Sequence, residues 1–352
     1  MMDFNNIFVN KSTWETFNQE QMDTYVKDVF DYYRKKGFPY YLSDRPTRFS
    51  LFHDFIVCCK EKNIIDYDNR TIKQSMNGLA LCWSYFPHSF SVRCNDKMSP
   101  MDAFLDDKIF MSVIRKRLKM GDNMSDNGIR KTLKLFTGVQ AVSNFRPTAA
   151  AGIYKMFASL LGKQSIKVYD PCCGYGGRLL GAIGSGVVSS YTGCEPCKDT
   201  HDGLNNMCDD FKREWKSNIY NTGCEDIYPG NDFDVVFTSP PYFDTEKYSD
   251  EPSQSYIKFP TREEWMEKFL MNGLVDNAYA CLKQGGVLCI NIADVQSYKT
   301  LVKDFIDKMK KRSHQWHAYK SFRLSLSSLK TNKKNDDAPI YKYEPVFIFI
   351  KR

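Results

Sequence analysis

Ile166-Lys167-Val168-Tyr169-Asp170-Pro171-Cys172-Cys173-Gly174-Tyr175-Gly176-Gly177-Arg178-Leu179-Leu180 reads as a strand, a glycine turn and the start of a helix. Glycines permit positive φ and let a ligand approach the backbone closely. In a doubly wound α/β sheet such a turn lies at the carboxyl end of a strand, where nucleosides bind. The stretches that follow repeat the pattern. Ser190–Cys194 reads as a second strand and ends at Glu195, 19 residues past Gly176, where an acid is expected to grip a ribose diol. Asn218–Ile227 forms a third strand region ending in two acids, Glu225 and Asp226, one of which could accept a hydrogen bond from an adenine amino group. The spacing of the glycines departs from the dinucleotide pattern, with Gly174, Gly176, Gly177 and then Gly181.

A fourth strand, Asp234-Val-Val-Phe-Thr238, delivers Ser239-Pro240-Pro241-Tyr242 into the region of that turn. Two prolines fix φ and donate no backbone hydrogen bond, so the turn is stiff. It holds the Ser239 hydroxyl and nearby carbonyls in place, with an aromatic beside them, which suits a planar ring bearing an amino group. A plain Pro-rich turn after a strand is the alternative reading of the four residues alone. Only 62 residues separate Gly177 from Ser239, and two strands and two helices use nearly all of them. Any segment that selects a target therefore lies in the first ~140 residues, in 243–263 or in 295–340, with boundaries good to several residues.

Together these stretches resemble the S-adenosylmethionine-dependent amino-methyltransferases of DNA, over roughly residues 140 to 350. Asp170-Pro171-Cys172-Cys173-Gly174-Tyr175-Gly176-Gly177 looks like the cofactor loop of that family, Glu195 like its ribose-binding acid, and Thr238-Ser-Pro-Pro-Tyr242 like its tetrapeptide with the usual preceding residue. The resemblance implies a Rossmann-like class I methyltransferase domain, α/β, with a seven-stranded, mostly parallel sheet. It implies S-adenosyl-L-methionine as cofactor, held by Asp170, Pro171, Cys172, Gly174, Gly176, Glu195, Asp226 and Thr238. The segment Ser143–Ala150 precedes the first strand, and Arg146 or Asn144 is expected near the cofactor's methionine carboxylate; a loop and helix start with Thr148 as cap is the plainer reading.

The implied reaction is methylation of an exocyclic amine on a DNA base. Ser239 Oγ and the Pro240 carbonyl would accept from the amine's two N–H groups, Pro241 would stiffen the turn, and Tyr242 would stack on the base. Positioning and preorganised dipoles would supply most of the rate. Cytosine C5 methylation needs a cysteine nucleophile, and no Pro-Cys-Gln occurs here. Serine at the first position of the tetrapeptide leans toward cytosine N4 in this family, with adenine N6 as the near alternative. An RNA or protein-glutamine methyltransferase shares the same chemistry, and a non-catalytic cofactor- or nucleic-acid-binding subunit is the non-enzymatic reading. A base in duplex DNA would have to be flipped out, at a cost of a few kcal/mol. Restriction-modification is the setting such enzymes commonly serve.

Outside these motifs less is legible. Residues 1–140 are expected to form a mainly helical accessory domain that could bind DNA, and 141–352 the methyltransferase domain. Gln19–Lys36 has clean helical spacing with Gly37 as its stop. Asp102–Lys119 reads as a second helical region ending in Arg115-Lys116-Arg117-Leu118-Lys119, which either faces phosphates or is a solvated helix face. Gln284-Gly285-Gly286 leads into a buried strand through Asp294, and Glu344–Ile350 is the expected last strand. The polar, aromatic segment 243–260 is expected to border the base pocket and to order on DNA, with Tyr248 and Lys247 near substrate. Segment 313–339 suggests a groove-facing hairpin or loop.

The 352 residues are 42% hydrophobic and 26% charged, ordinary globular usage for a catalytic domain with an appended one. A net charge of +7 suits a polyanionic partner without demanding one. Twelve cysteines lie scattered, with a single Cys194-Glu-Pro-Cys197, and His314 and His317 have no third ligand in view, so no metal site is expected. With no signal-peptide pattern and no apolar run near 18 residues, a cytoplasmic protein is expected, in a bacterial, phage or viral setting.

Overall fold

The computed structural model describes residues 11–41, 44–61, 64–73, 75–121, 123–211, 216–328 and 341–352. The chain divides into two compact units. One comprises Met1–Leu42 and Pro87–Ser143, the other Ser43–Phe86 and Asn144–Arg352. This differs from a single boundary at 140/141, because residues 43–86 build part of the sheet of the second unit.

The first unit is helical. Gln19–Lys36 forms as its spacing predicts, started by a capping box between Asn18 and Gln21 and ended at Gly37, whose φ is 88°. The expected helix over 102–119 is two, Pro100–Leu105 and Asp107–Lys119. Asp106 interrupts them with an extended ψ of 116° and caps the second by accepting from the Ile109 N–H. Tyr25, Val29, Tyr33, Phe110, Ile114 and Leu133 are among the core residues. The basic run does not all face outward. Arg117 is buried and donates to the Asn123 carbonyl at 2.6 Å. Arg130 is buried as well, with its guanidinium 3.7 Å from the Tyr41 ring centroid.

The second unit is an α/β layer structure around one sheet. Its strands are β1 (Ile65–Asp66), β2 (Thr71–Ile72), β3 (Ile166–Asp170), β4 (Val188–Cys194), β5 (Lys216–Tyr220), β6 (Phe233–Thr238), β7 (Leu282–Asn291), β8 (Trp316–Ser328) and β9 (Tyr341–Lys351). They lie in the order β1-β2-β8-β9-β7-β6-β3-β4-β5. Strands β5, β4, β3, β6 and β7 run parallel to one another, and β9 runs antiparallel to both β7 and β8. Six of these strands are read in the sequence; β8 lies in the segment expected to be a groove-facing hairpin or loop and instead supplies the seventh strand that the resemblance implies, and β1 and β2 make nine. Pairing of Arg323 and Leu324 with Thr71 and Ile72 covers β8, which would otherwise be an exposed edge.

All six residues of β6 are buried, as expected of a parallel strand covered on both faces. The chain steps outward from β3 to β4 and β5, then returns to lay β6 on the other side of β3. That reversal opens a crevice at the carboxyl ends of β3 and β6. The glycine turn follows β3 and the Ser-Pro-Pro-Tyr turn follows β6, so sheet topology brings the two motifs together. Residues 43–86 brace the first of them: Trp83 and Phe86 pack on Tyr175 with ring centroids 5.3 and 5.6 Å apart.

His314 and His317 are not on a helix, since helix Leu301–Lys311 has ended before them and β8 begins at Trp316. Among the described residues no cluster of His, Cys, Asp or Glu could hold a metal ion, and no helix is long and apolar enough to cross a membrane. The lysine-rich end of segment 313–339, from 329 onward, lies outside the described residues.

Candidate active site

A partly open cleft lies at the switch point. Its walls carry Pro171, Cys172 and Gly174 from the glycine turn, Glu195 after β4, Glu225 after β5, and Ser239 and Pro241 after β6. Gly174 and Gly176 have φ of 53° and 71°, the left-handed region that a turn this tight requires. Gly177 is needed for a different reason: a Cβ there would lie 1.9 Å from the Phe145 carbonyl oxygen. The segment before helix Pro147–Leu160 is thus pressed onto the glycine turn, and Asn144 donates to the Tyr175 carbonyl at 2.8 Å. Arg146 stands at the N-cap position of that helix, where its carbonyl accepts from the Ala150 N–H at 3.0 Å; it does not line the cleft, and its guanidinium makes no hydrogen bond or ion pair among the described residues. Burial holds its guanidinium below the usual value.

Glu195 is 8% exposed. Its carboxylate accepts from the Gly174 and Cys197 N–H groups, each at 3.0 Å. Burial pushes its pKa up to about 7, against the lowering effect of those two hydrogen bonds. Cys194-Glu-Pro-Cys197 is therefore the turn that presents this acid, and both cysteines are buried thiols.

Two residues assigned to cofactor contact by the sequence lie behind the cleft instead. Asp170 is fully buried and accepts from Arg178 Nε at 2.8 Å, Tyr191 OH at 2.7 Å and Thr238 Oγ1 at 2.8 Å. Arg178 also donates to the Cys172 carbonyl. The Cys172 N–H, at 3.3 Å, is the fourth donor to the Asp170 carboxylate, and Asp170 and Thr238 thus tie β3 to β6 under the two turns. The two acids after β5 also exchange parts. Asp226 is half exposed, paired with Lys258 at 2.6 Å, and does not line the cleft. Glu225 does line it; its side chain is 6% exposed, Lys258 takes Oε1 at 2.7 Å, and Oε2 is buried without a partner among the described residues.

The Ser-Pro-Pro-Tyr turn is braced by a residue the sequence did not single out. Asn291, at the end of β7 and 2% exposed, donates through Nδ2 to the Pro345 carbonyl at 3.0 Å. That bond orients Oδ1 toward the Ser239 and Tyr242 hydroxyls, each 3.5 Å away. The Tyr242 ring is half-buried and packs against the core; Pro240 is buried and Pro241 lines the cleft. Phe243, next in the chain, has φ of 58°, unusual for a bulky residue and a mark of a backbone held by its surroundings. Its ring is buried against Trp265 and Tyr298.

Segment 243–260 borders the cleft. Glu251 accepts from the Lys198 N–H at 3.2 Å, Ser253 donates to the Pro196 carbonyl at 3.4 Å, and Lys258 reaches Glu225. Tyr248, Ser253, Gln254 and Ser255 line the cleft. The segment is strapped over the Glu195–Glu225 side, while Lys247 is exposed.

Solved structures similar to this chain include the magnesium protoporphyrin IX methyltransferase of Synechocystis, with 10% identity over 58% of this chain and 79% of that one, at TM-score 0.40. An rRNA methylase from Streptococcus thermophilus has 16% identity over 60% and 99%, at TM-score 0.35. A SAM-dependent O-methyltransferase from Thermotoga maritima has 12% identity over 60% and 67%, at TM-score 0.37. No curated protein matches the chain. A family model of the N6/N4 type, described as DNA methylase, matches residues 233–352, the third of the chain that opens on β6 and carries Ser239-Pro-Pro-Tyr242.

Proposed function

We propose that this protein transfers a methyl group from S-adenosyl-L-methionine to an exocyclic amino group of a DNA base, with cytosine N4 as the first candidate. The observation that carries this reading is the shared cleft: the glycine turn, Glu195 and Glu225 line one side of the space onto which Ser239 and Pro241 open. The match of residues 233–352 to the DNA methylase model supports an amino target on DNA.

The cleft's donors and acceptors fit the cofactor. Glu195 offers carboxylate lone pairs for the ribose diol. Glu225 Oε2, buried without a partner among the described residues, calls for a donor such as the adenine amino group. A side chain at Gly174 would meet nothing within 4 Å, so its backbone borders open space. When bound, S-adenosylmethionine would supply a sulfonium methyl group as the electrophile.

The chain's own residues would prepare the nucleophile. The lone pair of an exocyclic base amine is delocalised into the ring. Ser239 Oγ and the Pro240 carbonyl would accept its two N–H bonds and draw that lone pair out of conjugation. Ser239 must then send its own proton elsewhere, and Asn291 Oδ1 is the acceptor held for it at 3.5 Å. Such bonds tighten when substrate arrives. Buried walls around the turn keep these dipoles fixed, which is where most of the rate would come from.

The test is incubation of the protein with labelled cofactor and DNA of mixed sequence, followed by identification of the modified base and its flanks. Label on cytosine N4 or adenine N6 supports the reading and chooses between them. Label on RNA or on protein glutamine, with none on DNA, would overturn the substrate class.

A further inference from the structure

We propose that Gln254, on the segment after the Ser-Pro-Pro-Tyr turn, donates to the ring nitrogen N1 of the cofactor's adenine, so that the cleft admits a 6-aminopurine and rejects a 6-oxopurine. This rests on the cofactor reading given above. Gln254 is 4% exposed, lines the cleft, and its Nε2 is buried with no partner among the described residues. A buried amide N–H without an acceptor is unfavourable and rare in native proteins. Glu225 Oε2, in the same cleft, is the matching orphan acceptor.

The backbone ties these two groups together. Gln254 precedes the short helix Ser255–Lys258, and its carbonyl accepts from the Ile257 and Lys258 N–H groups, both at 3.0 Å. Lys258 then holds Glu225 Oε1. The lysine satisfies one carboxylate oxygen and leaves the other pointing to an unfilled role. The lining of the cleft therefore combines a buried donor and a buried acceptor, with Phe269 as an apolar member. The outer edge of adenine presents the complement, an amino donor at C6 beside an acceptor at N1. Hypoxanthine presents the reverse, an oxygen at C6 beside an N1–H, so that each group would meet its own kind. It follows that cofactor, rather than DNA, is what segment 243–260 closes upon.

The test measures binding, by calorimetry on the full chain, of S-adenosylhomocysteine and S-inosylhomocysteine to the unaltered protein, Gln254→Glu and Gln254→Leu. The unaltered protein should prefer the adenine compound by about 10- to 100-fold. Both variants should shrink that ratio, Gln254→Glu by about tenfold or more because its carboxylate accepts from the hypoxanthine N1–H. A ratio of two affinities is insensitive to a partial loss of folded protein. If the unaltered protein prefers adenine and both variants keep the ratio within about twofold, Gln254 does not read N1 although the cofactor reading stands. Equal binding of the two compounds would overturn the proposal as well. If neither compound binds, the cofactor reading itself fails and takes this inference with it.

Discussion

Replacing Asp170 by asparagine should destabilise the sheet unit far more than it weakens ligand binding. The change keeps the side chain's shape and removes its charge. Asp170 is 0% exposed and its ion-pair partner Arg178 is 5% exposed, so neither can turn to water. Asparagine's one carbonyl oxygen can still accept from Arg178 Nε and Tyr191 OH, which share one oxygen now, but its amide nitrogen would then face the Thr238 hydroxyl and the Arg178 charge would have no anion. Leaving one member of a buried pair uncompensated costs about 3–5 kcal/mol. For a folded unit of roughly 150–250 residues each kcal/mol moves the melting temperature by about 2–4 °C, so the expected drop is about 6–20 °C. Scanning calorimetry reads it directly. A second variant isolates the cause: Asp170→Asn combined with Arg178→Met removes both charges and should recover a large part of the loss, because two uncharged groups carry no unpaired buried ion. A drop below about 3 °C for the single variant, or a double variant no more stable than the single, would refute the idea that Asp170 serves as a buried brace.

Ser239→Ala should lower turnover by on the order of a hundredfold while affinity for S-adenosylhomocysteine, measured by calorimetry, changes little; an unchanged rate removes Ser239 from the chemistry. Glu195, with a pKa pushed up to about 7, must ionise to offer its full set of lone pairs to a ribose diol. Affinity for S-adenosylhomocysteine should therefore rise from about pH 6 to about pH 8, and Glu195→Gln should bind more weakly and flatten that profile. Gly177→Ala forces a methyl group against the Phe145 carbonyl, 1.9 Å away, and should cost about 1–3 kcal/mol of stability, visible as a lower melting temperature.

How much of the site could be read along the chain follows a physical division. The glycine turn, Glu195 and the Ser-Pro-Pro-Tyr turn are short stretches whose chemistry depends on immediate neighbours, and all reach the cleft. The split of helix 102–119 at Asp106 was missed because capping there competes with a continuous apolar spacing. The allocation of residues 43–86 to the sheet unit depends on two-residue strands too short to carry a periodicity. Asn291 and Gln254 carried no signal, since a single amide in a strand or a polar loop is ordinary until its partners are known.

Residue order alone established the strand–turn–helix units and which turns carry polar groups, because φ preferences and apolar runs act over a few residues. Whether Asp170 meets a ligand or Arg178, and whether Glu225 or Asp226 faces the cleft, was decided by packing. Adjacent residues after a strand point in different directions, and which direction is inward depends on the pairing of β3 with β4 and β6 and on Lys258, 33 residues from Glu225. Long-range pairing of this kind leaves no local trace, and it sets Asp170 and Thr238 in a buried network between β3 and β6.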